Sequence, residues 1–152
     1  MLDNKLIELT REIAQQSPCI RRKYGCLITN SKDTVVTCNL RVSKCCNGTF
    51  CIRDYKKLPH GVDVNFGAEI HAEQAALIKW KFDVDKHTKV ILQGFDSEGN
   101  LLSGVQLYPC HTCALMLKYA GFKFVNLTDI LFEIIPVSID EIIEYWEKSW
   151  TS

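Results

Sequence analysis

Two short stretches constrain this chain more than anything else in it. The first reads His71-Ala72-Glu73 and the second Pro109-Cys110-His111-Thr112-Cys113. Each is expected to open a helix directly after extended chain. Cys110 and Cys113 stand at i and i+3, one helical turn apart, so both sulfurs can reach one ion. Unpaired N–H groups and the dipole at a helix start favour thiolate over thiol there. With His71 added, a zinc ion has two sulfurs and one nitrogen, and a catalytic site would keep its fourth position for water. A fold that serves both stretches must bring two helix N-termini to one point. Neither stretch suffices alone: His-x-Glu is common, and Cys-x-x-Cys also marks redox pairs and halves of structural zinc sites.

Glu73 gives the set its chemistry. A carboxylate two residues from the ligand can sit beside the metal without joining it, take a proton from water and return it to a leaving group. His-x-Glu together with Pro-Cys-x-x-Cys is the signature of zinc deaminases that act on cytosine or adenine.

The remaining pattern places these stretches in a mixed α/β chain. Leu2, Leu6, Leu9 and Ile13 share one helical face, Asp3 is placed to cap, and Pro18 ends the helix. Residues 25–29 and 34–39 read as a hairpin around Asn30-Ser31-Lys32-Asp33. Residues 40–66 show little periodicity and are long for a loop, hence functional or stapled. A helix is expected over 68–82, a strand over 89–95, a turn over 96–100 and extended chain over 105–108. A helix through Cys113 then stops at Gly121, strands follow over 122–127 and 129–136, and Ser138-Ile139-Asp140-Glu141 opens a closing helix as a capping box. Hairpin, helix, strand, helix, strand makes a mixed sheet covered by helices.

At 152 residues the chain fits a single domain, 1–152, with one core. Eighteen basic residues balance eighteen acidic ones, so a small-molecule partner is favoured over nucleic acid. The run Arg21-Arg22-Lys23 reads as a solvated turn. No apolar stretch reaches bilayer length and the N-terminus lacks the apolar core of a signal peptide, so the cytoplasm is expected and no membrane partner. Eight cysteines in a reducing compartment then mean metal ligation or core packing rather than disulfides. Cys26 and Cys38, within strands, are read as core, and His87 and His111 as exposed.

The chain resembles the cytidine and deoxycytidylate deaminase superfamily, most closely its deoxycytidylate (dCMP) branch. The resemblance rests on Ser17 to Cys26, on Cys51-Ile52-Arg53-Asp54, on Glu69 to Ala76, and on Pro109 to Cys113 with Ala114 and Ala120-Gly121. It implies a three-layer α/β/α sandwich with a mixed five-stranded sheet. It also implies a catalytic Zn2+ on His71, Cys110 and Cys113 with Glu73 moving protons, and the conversion of a cytosine-type nucleotide, dCMP above all, to its uracil form and ammonia. Asn39 stands where the superfamily holds the sugar hydroxyl, and the backbone N–H of Ala72 and carbonyl of Tyr108 stand where it reads the base. Arg21, Arg22, Arg41 and Arg53 are candidates for a substrate phosphate. Some dCMP deaminases carry a second, structural zinc, for which Cys19, Cys46, Cys51 and His60 are candidates here, with Cys45 competing. Homo-oligomers are implied as well, and Trp146 and Trp150 on the last helix serve either such an interface or the core.

Ala75 replaces the asparagine of the family's His-Ala-Glu-x-Asn, and Thr37-Cys38-Asn39-Leu40 replaces its Gly-Tyr-Asn-Gly strip. The resemblance therefore does not extend to control by deoxynucleoside triphosphates. Other substrates stay open: a nucleoside, a free base such as guanine, or a modified or polymeric nucleotide. From another class, so does a non-catalytic zinc-binding module, which would have no use for Glu73.

Overall fold

The computed structural model describes residues 2–41, 57 and 69–151. Helix α1 (Leu2–Gln15) leads to the hairpin β1 (Arg22–Thr29) and β2 (Thr34–Cys38), paired antiparallel from Gly25↔Cys38 to Thr29↔Thr34. Its turn is set by Asn30, whose Oδ1 accepts the N–H of Lys32 at 2.8 Å and of Asp33 at 2.7 Å, a local bond that asparagine makes readily. Two short strands follow, β3 (Leu40–Arg41) and β4 (Glu69–Ile70), paired to each other. They place Asn39 and His71 at the same end of a two-strand clasp.

Helix α2 (Ala72–Lys79), strand β5 (Lys89–Asp96), helix α3 (His111–Ala120), strands β6 (Phe124–Thr128) and β7 (Ile134–Ser138) and helix α4 (Ile139–Thr151) complete the order. The main sheet runs β2-β1-β5-β6-β7. It is mixed, because β5 and β6 are joined through α3 and run parallel while every other pair is antiparallel. A parallel pair needs such a crossover.

The sheet is the middle of three layers. Helix α1 packs on one face, against β1, β2 and β5, while α2, α3 and α4 cover the other. On that second face Cys26, Ile28, Val90, Leu92, Val125 and Leu127 from the strands meet Ala72, Ala76, Leu117, Ile142 and Trp146 from the helices. Cys26 and Cys38 are buried, as their strand positions predict.

Several local expectations shift, each for a visible reason. The first helix buries Ile7, Thr10 and Ala14 most deeply, whereas Leu6, Leu9 and Ile13 are half-buried beside them. Small side chains lead because the helix lies directly on Gly25, where an added Cβ would stand 2.5 Å from the Thr10 carbonyl and 2.9 Å from the Ala14 methyl. Gly25→Ala is therefore expected to cost about 3 kcal/mol, as overpacking against backbone that cannot give way. Denaturant unfolding checks it, and a loss below about 0.5 kcal/mol would mean that α1 simply lifts. Asp3 lies inside the first turn and takes Lys89 Nζ at 2.8 Å rather than capping.

The helix expected over 68–82 shrinks to α2, because His71 has extended backbone and the residues before it pair as a strand. Residues 105–108 are not extended. Gly104, at φ +59°, starts a 3-10 turn over Gly104–Leu107, closed by the Tyr108 N–H on the Val105 carbonyl at 3.3 Å. The last strand begins only at Ile134, since Asp129 Oδ1 accepts the N–H groups of Leu131 and Glu133, both at 2.9 Å, and closes a turn there.

Candidate metal centre

The two helix starts meet. His71 and Cys110 are the N-cap residues of α2 and α3, with φ/ψ of −66°/151° and −61°/164°. Extended backbone at an N-cap turns the chain from strand direction into helix direction. The His71 N–H donates to Gln74 Oε1 at 2.9 Å, and Thr37 Oγ1 on β2 donates to the Ala72 carbonyl at 2.8 Å, so α2 is pinned at its origin. Gly121, at φ +112°, ends α3 in the left-handed conformation that glycine takes without cost.

His71 Nδ1 lies 3.6 Å from Cys110 Sγ and 3.4 Å from Cys113 Sγ. All three donor atoms fall within 4.8 Å of one another. A tetrahedral zinc with bonds of about 2.3 Å to sulfur and 2.0 Å to nitrogen sets its ligand atoms about 3.6 Å apart. The donor set and its spacing fit that ion. Both cysteines are buried and His71 is half-buried.

The electrostatics agree with a cation site. Cys110 is drawn down to about 4, first by the hydrogen bond that Cys113 supplies and then by His71. Cys113 is held well above an ordinary thiol, first by that same bond to Cys110 and then by burial. Two sulfurs this close keep one proton between them, and only a cation lets both be thiolates.

Glu73 is the second residue of α2 and is 6% exposed. Burial raises its carboxyl above the ordinary value, His71 pulls it back, and Cys110 pushes it up again. It lies outside the ligand group, where a proton carrier belongs.

Asn39 is buried, with Oδ1 accepting the Tyr24 N–H at 2.9 Å and Nδ2 donating to the Arg22 carbonyl at 3.0 Å. Its amide thus ties the end of β2 to the start of β1. Tyr108 follows the 3-10 turn, and its ring stands edge-on to Tyr145 at 5.4 Å. Cys19 is half-buried, its N–H on Ser17 Oγ at 3.2 Å. Cys46, Cys51, His60, Cys45 and Arg53, candidates for the second zinc or the phosphate, lie outside the described residues. His87 is exposed, as expected, but His111 is not: it is half-buried, edge-on to Trp150 at 4.7 Å and with Nε2 3.4 Å from Glu147 Oε2. The closing helix covers it. Trp146 is buried in the core, whereas Trp150 is 65% exposed.

Tyr24 is a half-buried neighbour of Glu73 that the sequence did not single out. Its ring fills the notch at Gly94, where a Cβ would lie 2.7 Å from it, and its hydroxyl accepts Arg22 Nη1 at 3.2 Å. Burial raises that hydroxyl above the ordinary tyrosine value, the nearby arginines lower it and Glu73 raises it again. The available signal was Gly94 in the middle of a strand, since such a glycine marks a close approach.

Comparison with known proteins agrees with this geometry. Residues 1–128 match the family model described as the cytidine and deoxycytidylate deaminase zinc-binding region. No curated protein matches the sequence significantly. Among solved structures, the chain is similar to a dCMP deaminase from the cyanophage S-TIM5 in apo form, with TM-score 0.54 and 19% identity over 95% of this chain and 90% of that one. The same phage enzyme in complex with dCMP and dUMP gives TM-score 0.53 and 20% identity over 83% and 79%. A mutant cytidine deaminase from Mycobacterium tuberculosis gives 0.50 and 17% over 91% and 89%. At these identities the likeness is one of fold. Among the described residues no helix is long and apolar enough to cross a membrane.

Proposed function

The chain belongs to the cytidine and deoxycytidylate deaminase family, and from that premise we propose that it hydrolyses the exocyclic amine of a cytosine-type nucleotide, dCMP, giving dUMP and ammonia. The observation that carries this reading is a buried carboxylate, Glu73, set beside the three donors that meet among the described residues, His71, Cys110 and Cys113. A structural zinc site closes its fourth position with protein and needs no such acid.

His71, Cys110 and Cys113 would hold the zinc. When bound, zinc acts as a Lewis acid and makes a water acidic enough to react near neutral pH. Glu73 accepts one proton of the attacking water as the C4–O bond forms and delivers it to ring N3, then takes the second proton from the new C4 hydroxyl and passes it to the departing amine. The C4–N bond breaks as the C4 carbonyl forms and ammonia leaves, so one water is consumed for each ammonia. Burial of Glu73 keeps bulk water from competing for that proton. The Ala72 N–H and the Tyr108 carbonyl address the base edge in this reading. In the same reading Asn39, held stiffly by its bonds to β1, addresses the sugar, and Arg22 addresses the phosphate.

The phosphate preference draws support from Arg21 and Arg22 at the entrance to β1 and from the phage enzyme seen with dCMP and dUMP. The proposal includes one catalytic domain over residues 1–152, residence in the cytoplasm and assembly into homo-oligomers. Leu77, Leu115, Met116 and Tyr119 form an apolar surface across α2 and α3 that suits such assembly. A second, structural zinc on Cys19, Cys46, Cys51 and His60 is part of the same reading.

The test is ammonia release by zinc-loaded protein against cytosine, cytidine, deoxycytidine, CMP, dCMP, dCTP, adenosine, guanine and short single strands. Fastest turnover is expected with dCMP. A preference for any other member moves the substrate, and a protein that holds zinc yet leaves every substrate intact is a binding module.

A further inference from the structure

We infer that the closing helix α4 is a brace for the metal-binding turn, and that Trp146 is a positioning residue which fixes Pro109 and, through it, the ligand Cys110. The inference rests on the zinc site of the proposed function. It concerns a part of the chain that lies beyond the residues matched by the family model, since α4 spans Ile139–Thr151 and the match ends at 128.

The Trp146 indole N–H donates to the Pro109 carbonyl at 2.8 Å, and the bond is buried. That carbonyl belongs to the peptide unit that leads into Cys110. Proline fixes its own φ near −65°, so the freedom left before Cys110 is the ψ rotation of Pro109. Turning that angle would swing the carbonyl off the indole and carry Cys110, with its sulfur, away from His71. The one bond therefore governs the rotation that aims the first thiolate.

The grip extends to the residues on either side. Tyr145 stands edge-on to Tyr108 at 5.4 Å, and Trp150 edge-on to His111 at 4.7 Å, with Glu147 Oε2 3.4 Å from His111 Nε2. At the far end Asp140 takes Lys118 Nζ at 2.8 Å. Helices α3 and α4 thus run antiparallel, joined at both ends. Ile139 and Ile142, fully buried, anchor α4 to the core. A buried indole N–H needs an acceptor, and here the acceptor belongs to the chain carrying the ligands. Groups that orient metal ligands from behind in this way change metal affinity or activity by about 10–100-fold when removed.

The test is zinc release to an excess of chelator, together with the thiolate-to-cobalt absorption of the cobalt-substituted protein and the melting temperature. Trp146→Phe keeps the ring and removes the N–H; Trp80→Phe is the control. Trp80 is also buried in the core, and its Nε1 has no hydrogen-bond partner among the described residues. Trp146→Phe is expected to lose zinc about tenfold faster than the wild type and to shift the cobalt band. Trp80→Phe should release zinc at the wild-type rate even where its melting temperature falls as far. Trp150→Ala, at an exposed position that cannot unfold the core, covers the case in which Trp146→Phe does not fold, and is expected to speed release at least about twofold.

Equal release from Trp146→Phe and Trp80→Phe, with unchanged cobalt spectra, overturns the inference. So does a wild-type protein that takes up no zinc, which would sink the proposed activity too. Zinc held by a wild type that turns over no nucleotide refutes the activity alone, because the release comparison still decides the brace.

Discussion

Glu73→Gln is expected to lower kcat on dCMP by about 10³–10⁴-fold while one zinc per chain stays bound at His71, Cys110 and Cys113. General acid–base catalysis by one positioned group contributes about 10²–10⁴-fold, and in the proposed reaction Glu73 serves both the water and the leaving amine. Glutamine keeps the shape and the hydrogen-bonding edge but cannot carry a proton. The native carboxyl is buried, and burial is the main reason its ionised form is disfavoured. A neutral amide escapes that cost, so the melting temperature should hold or rise. Steady-state rates with metal analysis on the same sample are the check. A variant that keeps its zinc and works within tenfold of the wild type would remove Glu73 from the proton path.

Cys113→Ser is expected to abolish zinc retention and, with it, all measurable turnover. Cys113 is fully buried in the first turn of α3, with its sulfur 3.4 Å from His71 Nδ1. A serine hydroxyl stays protonated near neutral pH and gives zinc no anionic sulfur, leaving two ligands where a catalytic site uses three. The effect on stability follows by linkage. A metal present at about 1,000 times its Kd adds about 4.1 kcal/mol to the folded state, and a protein that cannot hold it loses that term. Melting with and without chelator should lower the wild-type transition by several degrees and leave Cys113→Ser unmoved. Stoichiometric zinc on purified Cys113→Ser would show that the donor set is wrong.

The centre was legible in the sequence because its chemistry is local twice over. His71 to Glu73 and Cys110 to Cys113 each span less than one turn, and helix geometry fixes what such short stretches present. Their meeting could be anticipated only as a requirement, since His71 and Cys110 are 39 residues apart. The hairpin was legible as well, through the Asn30 turn between two short apolar runs. The misjudged pieces are those in which a distant contact decides. Glu69 and Ile70 carry helix-like composition but pair with β3. Residues 105–108 look like strand formers but follow Gly104 in a left-handed conformation.

By itself the sequence determined the three candidate donors, the carboxylate beside them, and the alternation of strands and helices that makes a mixed sheet covered by helices. Those properties depend on residue type and on spacings of a few positions, where steric and helix-dipole effects act. Only the tertiary structure decided which groups hold the centre in place: Thr37 on the Ala72 carbonyl, Asn39 across β1, Tyr24 in the Gly94 notch, and Trp146 on the Pro109 carbonyl. Each joins residues far apart in the chain through one hydrogen bond or one close packing contact. Such contacts have no period and no motif, because any buried N–H or hydroxyl must find some acceptor, and the completed packing selects which one.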